Sequence, residues 1–226
     1  EEATLSAKFS NQLVNAAKAG TLIITDSSML AGLPQADKNA FAQNAKEKNA
    51  ENSWLMPLQN TTQQPALQSL SNRDTREKLF DASWTRAEKN DSNDTRAIII
   101  RIAAIRAQKA KLLGFANYAA WKLQDQMAQT PEEVDKFFAQ LVTAVTAKAK
   151  KEAGDIQSLI DKKKGGFTMQ PRDWDYYSEQ VRKAKYNLDD NEIKPYFELD
   201  KVLQNGVFYA ASQLYGLTLK ERHDIP

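Results

Sequence analysis

Cysteine is absent from the 226 residues and histidine occurs once, as His223. The first absence excludes disulfides, thiol nucleophiles and every zinc site that uses a cysteine ligand. The second excludes, within this chain, a complete HExxH motif or a metal site built on two histidines. His223 alone is a poor basis for a Ser-His-Asp triad and reads as a surface residue. Glycine and proline are scarce, 8 and 7, and neither occurs between Ala66 and Leu113. Their scarcity favours helix over strand. No run approaches the roughly 18 apolar residues that span a membrane. The most apolar stretch, Ala97 to Ile105, is interrupted by Arg101 and reads as a buried helix. Charge of one sign is also missing: 31 Lys and Arg against 29 Asp and Glu leave +2. No nucleic-acid partner and no membrane partner is therefore expected.

The chain opens on Glu1-Glu2-Ala3-Thr4, without the basic start and apolar core of a secretory signal. Cytoplasmic is the default compartment, and the missing initiator Met suggests processing or a piece of something longer.

Local patterning predicts a mainly α chain. Leu5, Phe9 and Leu13 form one helical stripe that ends near Gly20. Thr21 to Thr25 and Ser53 to Leu58 read as two short strands, the second at an edge because of Pro57. A helix from about Pro34 to Lys48 joins them. Helices are expected over Arg73–Arg86, from Asn93 or Asp94 to Leu113, and over Ala116–Gln129. Gly114 stands where a left-handed residue closes a helix. Thr130-Pro131-Glu132-Glu133 combines an N-cap, a first-turn proline and acidic residues. It should open one long helix reaching about Lys163, with Val134, Phe138, Leu141, Val145, Ala149, Ala153, Ile156 and Ile160 as a continuous seam. Gly154 could bend it. Arg172–Tyr186 and Leu199–Tyr215 read as further helices, and Leu217-Thr218-Leu219 as the start of a third strand. The expected organisation is a single segment, 1–226. Residues 1–60 carry a helix and the strand pair, and 61–226 a helical array.

Each constellation that could carry chemistry has a structural reading that fits better. Gly165-Gly166 is the only adjacent glycine pair, and no phosphate-binding pattern surrounds it. Asp91-Ser92-Asn93-Asp94 lacks the glycine and terminal Glu of a calcium loop and reads as a helix cap. Lys148, Lys150-Lys151 and Lys162 to Lys164 are diluted by Glu152, Asp155 and Asp161, as on a solvated helix face. Trp174-Asp175-Tyr176-Tyr177 could line a groove but suits helix packing. Glu132/Glu133 and Asp189/Asp190 fall at helix starts and loops. Composition and spacing thus point to no catalytic residue, no metal ligand and no identified substrate contact.

Several segments, in order, carry a resemblance. Pro57-Leu58-Gln59-Asn60-Thr61-Thr62-Gln63-Gln64-Pro65 precedes Thr75-Arg76-Glu77-Lys78-Leu79-Phe80. Trp84-Thr85-Arg86-Ala87-Glu88-Lys89-Asn90, Asn93-Asp94-Thr95-Arg96, Leu112-Leu113-Gly114-Phe115 and Tyr118-Ala119 follow. Trp174-Asp175-Tyr176-Tyr177 and Pro195-Tyr196-Phe197-Glu198-Leu199 complete the set. Together they resemble the middle part of bacterial peptidyl-dipeptidases (dipeptidyl carboxypeptidases), zinc metallopeptidases of the thimet oligopeptidase and neurolysin family. The likeness runs over essentially the whole chain.

The resemblance implies a two-lobed, mostly helical hydrolase with a deep channel that admits short peptides and removes dipeptides from a free C-terminus. It implies zinc held by HExxH and a downstream Glu, with zinc-bound water as nucleophile. None of that set is present, so the expectation is a segment that stops upstream of the motif, binds no zinc and is inactive alone. It would build scaffold and channel wall, with the rest of the parent enzyme as its partner. Such a piece should expose a larger apolar patch than a soluble monomer tolerates. The alternatives are a free-standing helical interaction module and, on the lysine clusters, an anion-binding protein.

Overall fold

The structure is a computed structural model that describes residues 1–187 and 190–224, and it is mainly helical with a small two-stranded sheet. Helix α1 (Glu2–Ala19) leads into β1 (Leu22–Ile24), a 3-10 turn (Ser27–Leu30) and α2 (Gln35–Glu47). Strand β2 (Trp54–Met56), α3 (Asn60–Ser69), α4 (Arg73–Trp84), α5 (Arg96–Leu112) and α6 (Tyr118–Leu123) follow. The long helix α7 (Pro131–Lys162) precedes α8 (Trp174–Tyr186). The chain divides into two compact units, 1–181 and 182–226. The second contains the short helices α9 (Asp190–Ile193), α10 (Leu199–Val202) and α11 (Tyr209–Tyr215).

The first core forms around the strand pair. β1 and β2 run antiparallel, with Leu22 opposite Met56 and Ile24 opposite Trp54. Alternation turns these four side chains to one face, where Ile24 and Met56 are buried with Leu30, Leu33, Phe41, Leu67, Leu70 and Leu79. Ile23, on the other face, is exposed. Each fully buried leucine contributes about 1.5–3 kcal/mol by leaving water. The backbone makes one very close approach here. A Cβ on Gly32 would lie 2.2 Å from the Ser69 carbonyl oxygen, and its φ is +91°. Only glycine fits that turn, which lets the Ser71 N–H donate to the Ala31 carbonyl at 2.8 Å.

Helix α1 packs on α5, and Glu2 accepts from Arg106 Nε at 2.9 Å and Lys109 Nζ at 3.2 Å. On α5, Ile98 and Ile102 are buried while Ile99 and Ile100 are exposed. Gly114 takes φ +82°, and the Phe115 N–H closes back on the Ala110 carbonyl at 2.9 Å. The expected helix stop is therefore present.

Helix α7 starts at the Thr-Pro-Glu-Glu signal. Thr130 Oγ accepts from the Glu133 N–H at 3.3 Å, and the helix runs uninterrupted past Gly154 to Lys162. The Gly154 carbonyl also accepts from Ser158 Oγ at 2.9 Å. Only the C-terminal end of α7 enters a core. There Ile156 and Ile160 are buried with Tyr177, against Phe167, Met169 and Trp174.

Three expectations differ from the structure. The Ala116–Gln129 helix shrinks to α6, because the Asn117 side chain caps it at the Ala120 N–H and Gln129 adopts φ +60°. The 199–215 helix is broken in type by a π-helical stretch, Leu203–Phe208, between α10 and α11. Leu217 to Leu219 is not a strand; among the described residues the sheet has only β1 and β2, so no ladder partner is available. Helix α3, within the expected helical array from 61 on, places Pro65 inside it and buries Ala66 and Leu67.

Candidate functional site

The most concentrated polar arrangement is a buried ion cluster between α4 and the turn before α8. Arg73 and Arg76 lie three residues apart and so share a helix face. Arg73 Nε donates to Asp173 Oδ1 at 3.0 Å and its terminal nitrogen to Oδ2 at 2.9 Å. Arg76 donates to Oδ1 at 3.1 Å and, from its other terminal nitrogen, to the Leu70 and Ser71 carbonyls. The Gln170 N–H donates to Oδ2 at 3.1 Å. The Asp173 side chain is wholly buried and that of Arg76 nearly so. Burial pushes the Asp173 carboxyl upward. The hydrogen bonds from Arg73, Arg76 and Gln170 outweigh that push and hold it below the ordinary value.

Aromatic rings enclose the two guanidinium groups. Arg73 sits 4.0 Å from the centroid of the Phe167 ring, and Arg76 4.3 Å from that of Tyr176. Arg172 adds an ion pair to Glu77 at 2.9 Å. With every Asp173 oxygen engaged, the cluster has no carboxylate free for acid–base work. Its chemistry is attachment: it ties the first core to the second across about a hundred residues of sequence. No local pattern announces it. Two arginines at i and i+3 are common on helices, and Asp173 belongs to a different segment.

The residues singled out from sequence fall into structural roles or onto the surface. The Gly165 N–H closes α7 onto the Ile160 carbonyl at 2.9 Å, and Gly166 sits at φ +72° in the turn beyond. Asp91 and Asp94 make local turns: Asp91 accepts from the Asn93 N–H, and Asp94 from the Arg96 N–H and guanidinium. Arg96 holds the Asp94 carboxyl well below the usual carboxylate range. Lys148, Lys150, Lys151 and Lys162 to Lys164 are exposed; Lys148 pairs with Glu152 at 3.8 Å, and Lys163 bonds Gln180. Tyr177 is buried, stacked edge-on with Tyr176, and Trp174 packs into the same cluster. Burial pushes the neighbouring Asp175 carboxyl up. Glu132 and Glu133 occupy the first turn of α7, and Glu133 pairs with Lys136. His223 is exposed, 3.6 Å from Glu221. Asp189 lies outside the described residues, as does the side chain of Asp190.

The other notable surface is apolar. Every residue of α7 from 135 to 152 is exposed, including Phe137, Phe138, Leu141, Val142 and Val145. In the second unit, Tyr196, Phe197, Leu199, Tyr209, Leu214 and Tyr215 are exposed as well.

Among the described residues, no group of three or more His, Cys, Asp or Glu side chains could hold a metal ion. Among the described residues, the wholly buried carboxylate of Asp173 is taken by two arginines, and His223 lies beside the exposed Glu221. No helix among the described residues is long and apolar enough to cross a membrane.

Caps, ion pairs and packing rings account for these side chains within a mainly helical segment. Residues 66–226 match the model of Peptidase family M3, and the chain belongs to that family. It is 54% identical over its full length to "Dipeptidyl carboxypeptidase" of Escherichia coli (strain K12), of which it covers 33%. Against "Dipeptidyl carboxypeptidase" of Salmonella typhimurium (strain LT2) it is 52% identical over the same share. "Oligopeptidase A" of Escherichia coli (strain K12) is 32% identical over 98% of the chain and 33% of the relative. The chain thus spans about a third of the length of the relatives it matches. The family is zinc-dependent, and the described residues do not fit a zinc site.

Proposed function

We propose that this chain is the non-catalytic framework of a zinc metallopeptidase that removes C-terminal dipeptides from short peptides. The observation that carries the reading is 54% identity over the entire chain to a dipeptidyl carboxypeptidase three times as long. In this reading residues 1–226 form one helical segment, with the strand pair in 1–60 and the helical array in 61–226, inside a two-lobed helical enzyme. The segment builds wall and scaffold around a peptide channel. Its partners are the remaining, zinc-bearing part of the enzyme and, through it, short peptide substrates, with neither nucleic acid nor membrane involved. The compartment is the cytoplasm.

What this chain's own residues contribute is position. The Asp173 cluster holds α4 against the α7–α8 junction, and long helices carry that order outward. A desolvated ion cluster without a free acid or base, and with no described metal donor set, suits support rather than bond cleavage. The test is to express the full-length protein that contains this segment and assay release of C-terminal dipeptides from N-terminally blocked peptides. Chelator-sensitive release, restored by zinc, is the expected result, with none from the 226-residue chain. A full-length protein that releases no dipeptide would overturn the reading in favour of a helical interaction module.

A further inference from the structure

We infer that a cavity walled by α3, the end of α4 and the start of α5 is a binding site for a free α-amino acid with an apolar side chain. The cavity lies wholly within residues 1–181, and its use is independent of the proposed function.

Its volume is about 510 Å³, within the few hundred to a thousand cubic ångströms usual for small-molecule sites. One wall is braced before any ligand arrives. The Thr95 N–H and hydroxyl both donate to the Ala87 carbonyl, at 2.9 and 3.4 Å, and close the segment between them into a loop. On the α3 side, Asn60, Gln63 and Gln64 stand three and four residues along the helix and share one face. None of these three side-chain amides is hydrogen-bonded to the rest of the described chain, and the Gln63 oxygen is buried without a partner. Turning the Gln63 amide into the cavity therefore breaks no hydrogen bond, and an occupant with an N–H group supplies the donor that the fold withholds.

Charge of both signs is available across from these amides. Arg96 is already taken: its Nε donates to Asp94 at 3.0 Å, and a terminal nitrogen donates to Asn90 at 2.6 Å. Arg86 is not. Its Nη1 donates to the Ser83 carbonyl and hydroxyl at 2.8 and 3.2 Å, while Nε and Nη2 have no acceptor among the described residues. That free edge of the guanidinium matches the two oxygens of a carboxylate. Glu88, two residues on, is exposed and makes no direct ion pair among the described residues. A free guanidinium and a free carboxylate so close in sequence suit a ligand whose own carboxylate and ammonium are joined by a single carbon. The two termini of a peptide stand farther apart.

The remaining wall is apolar. Leu13 and Ile99 line the cavity, and so does Trp84, which is 74% exposed with one ring face stacked on Phe80 at 5.2 Å. An indole with its other face free, on the same wall as two aliphatic side chains, favours an apolar amino-acid side chain.

The experiment is titration calorimetry of the full-length protein that contains this segment, with L-leucine and L-phenylalanine as the probes. One site with a Kd below about 1 mM for either probe is the expected result. Trp84 fluorescence should change with it, read as the difference from Trp84→Phe. Leucinamide and N-acetyl-leucine, which each lack one of the two charges, should bind at least about tenfold more weakly. Arg86→Gln should weaken leucine binding by a similar factor. So should Glu88→Gln, which leaves the fold intact because the Glu88 side chain makes no hydrogen bond or ion pair. Absence of saturable binding by the full-length protein would overturn the inference, even where the 226-residue chain binds, because the remaining polypeptide then fills the cavity. Binding that both substitutions leave unchanged would overturn it by placing the amino acid elsewhere. Tighter binding of leucyl-leucine than of leucine would overturn it too and assign the cavity to peptides.

Discussion

The first core and the middle of α7 are made of the same kinds of residue and end in opposite states. Around the strand pair, Leu30, Leu70 and Leu79 are fully buried. Along α7, Phe138, Leu141 and Val145 repeat at helical spacing and remain about half exposed. Apolar periodicity states that a face has to be covered; it does not state by what. The first core finds its cover within some sixty residues, through a strand pair and three helices. Within residues 1–181 the α7 arc has none. Both are folding instructions, and within residues 1–181 only the first is completed.

The largest expected effect comes from cutting the tie between the two regions. Asp173→Ala leaves Arg76 buried without its counter-charge and should cost about 3–5 kcal/mol, measured by chemical denaturation. The same carboxyl has a pH signature. Its value is lowered in the folded state, so its contribution is fully present above the unfolded carboxylate value of about 3.9. That contribution is lost as pH falls through the lower folded value. Asp173→Asn should therefore flatten the fall in stability below about pH 4 relative to the unsubstituted chain.

Next comes the direct contrast between a buried and an exposed leucine. Leu79→Ala should destabilise the 226-residue chain by about 2–5 kcal/mol. Leu141→Ala should change it by less than about 0.5 kcal/mol, and should approach the Leu79 cost in the full-length protein. Equal costs for the two leucines in the short chain would break the comparison. A smaller effect is expected at the start of α7: Thr130→Ala removes the cap on the Glu133 N–H and should cost about 1 kcal/mol. Smallest of all, Lys150→Ala on the polar side should stay within about 0.5 kcal/mol in either form.

What could be read from sequence divides along physical lines. The start of α7 was legible because Thr130, Pro131 and Glu133 act on backbone groups within one turn. Gly114 was legible for the same reason, and so were the strands, from β-branched Ile23 and Ile24 and the apolar run at Trp54. The Asp173 cluster was not, because its partners lie about a hundred residues away and nothing near Asp173 requires an arginine. The π-helical stretch at Leu203–Phe208 and the absence of a strand at Leu217 also depend on more than neighbouring residue types. At the candidate site, the structural readings of the glycine pair and the aromatic run agree with the observed contacts, whereas the cap expected at Asp91–Asp94 is a pair of local turns and the N-cap of α5 is Thr95. The family likeness came from ordered motifs rather than from any reactive group.

The thirty-two residues of α7 also act as a ruler. Its beginning rests near α6 and its end is clamped at Ile156 and Ile160, so the span between them, about 40 Å at 1.5 Å per residue, is written in residue number. Adding a single residue in the middle would lengthen the span only slightly but turn one end by about 100° against the other. The arc at Phe138 and Val145 would then no longer line up with Ile156. Insertions and deletions in this stretch are therefore constrained by phase far more than by length, and only those close to whole turns preserve one continuous face.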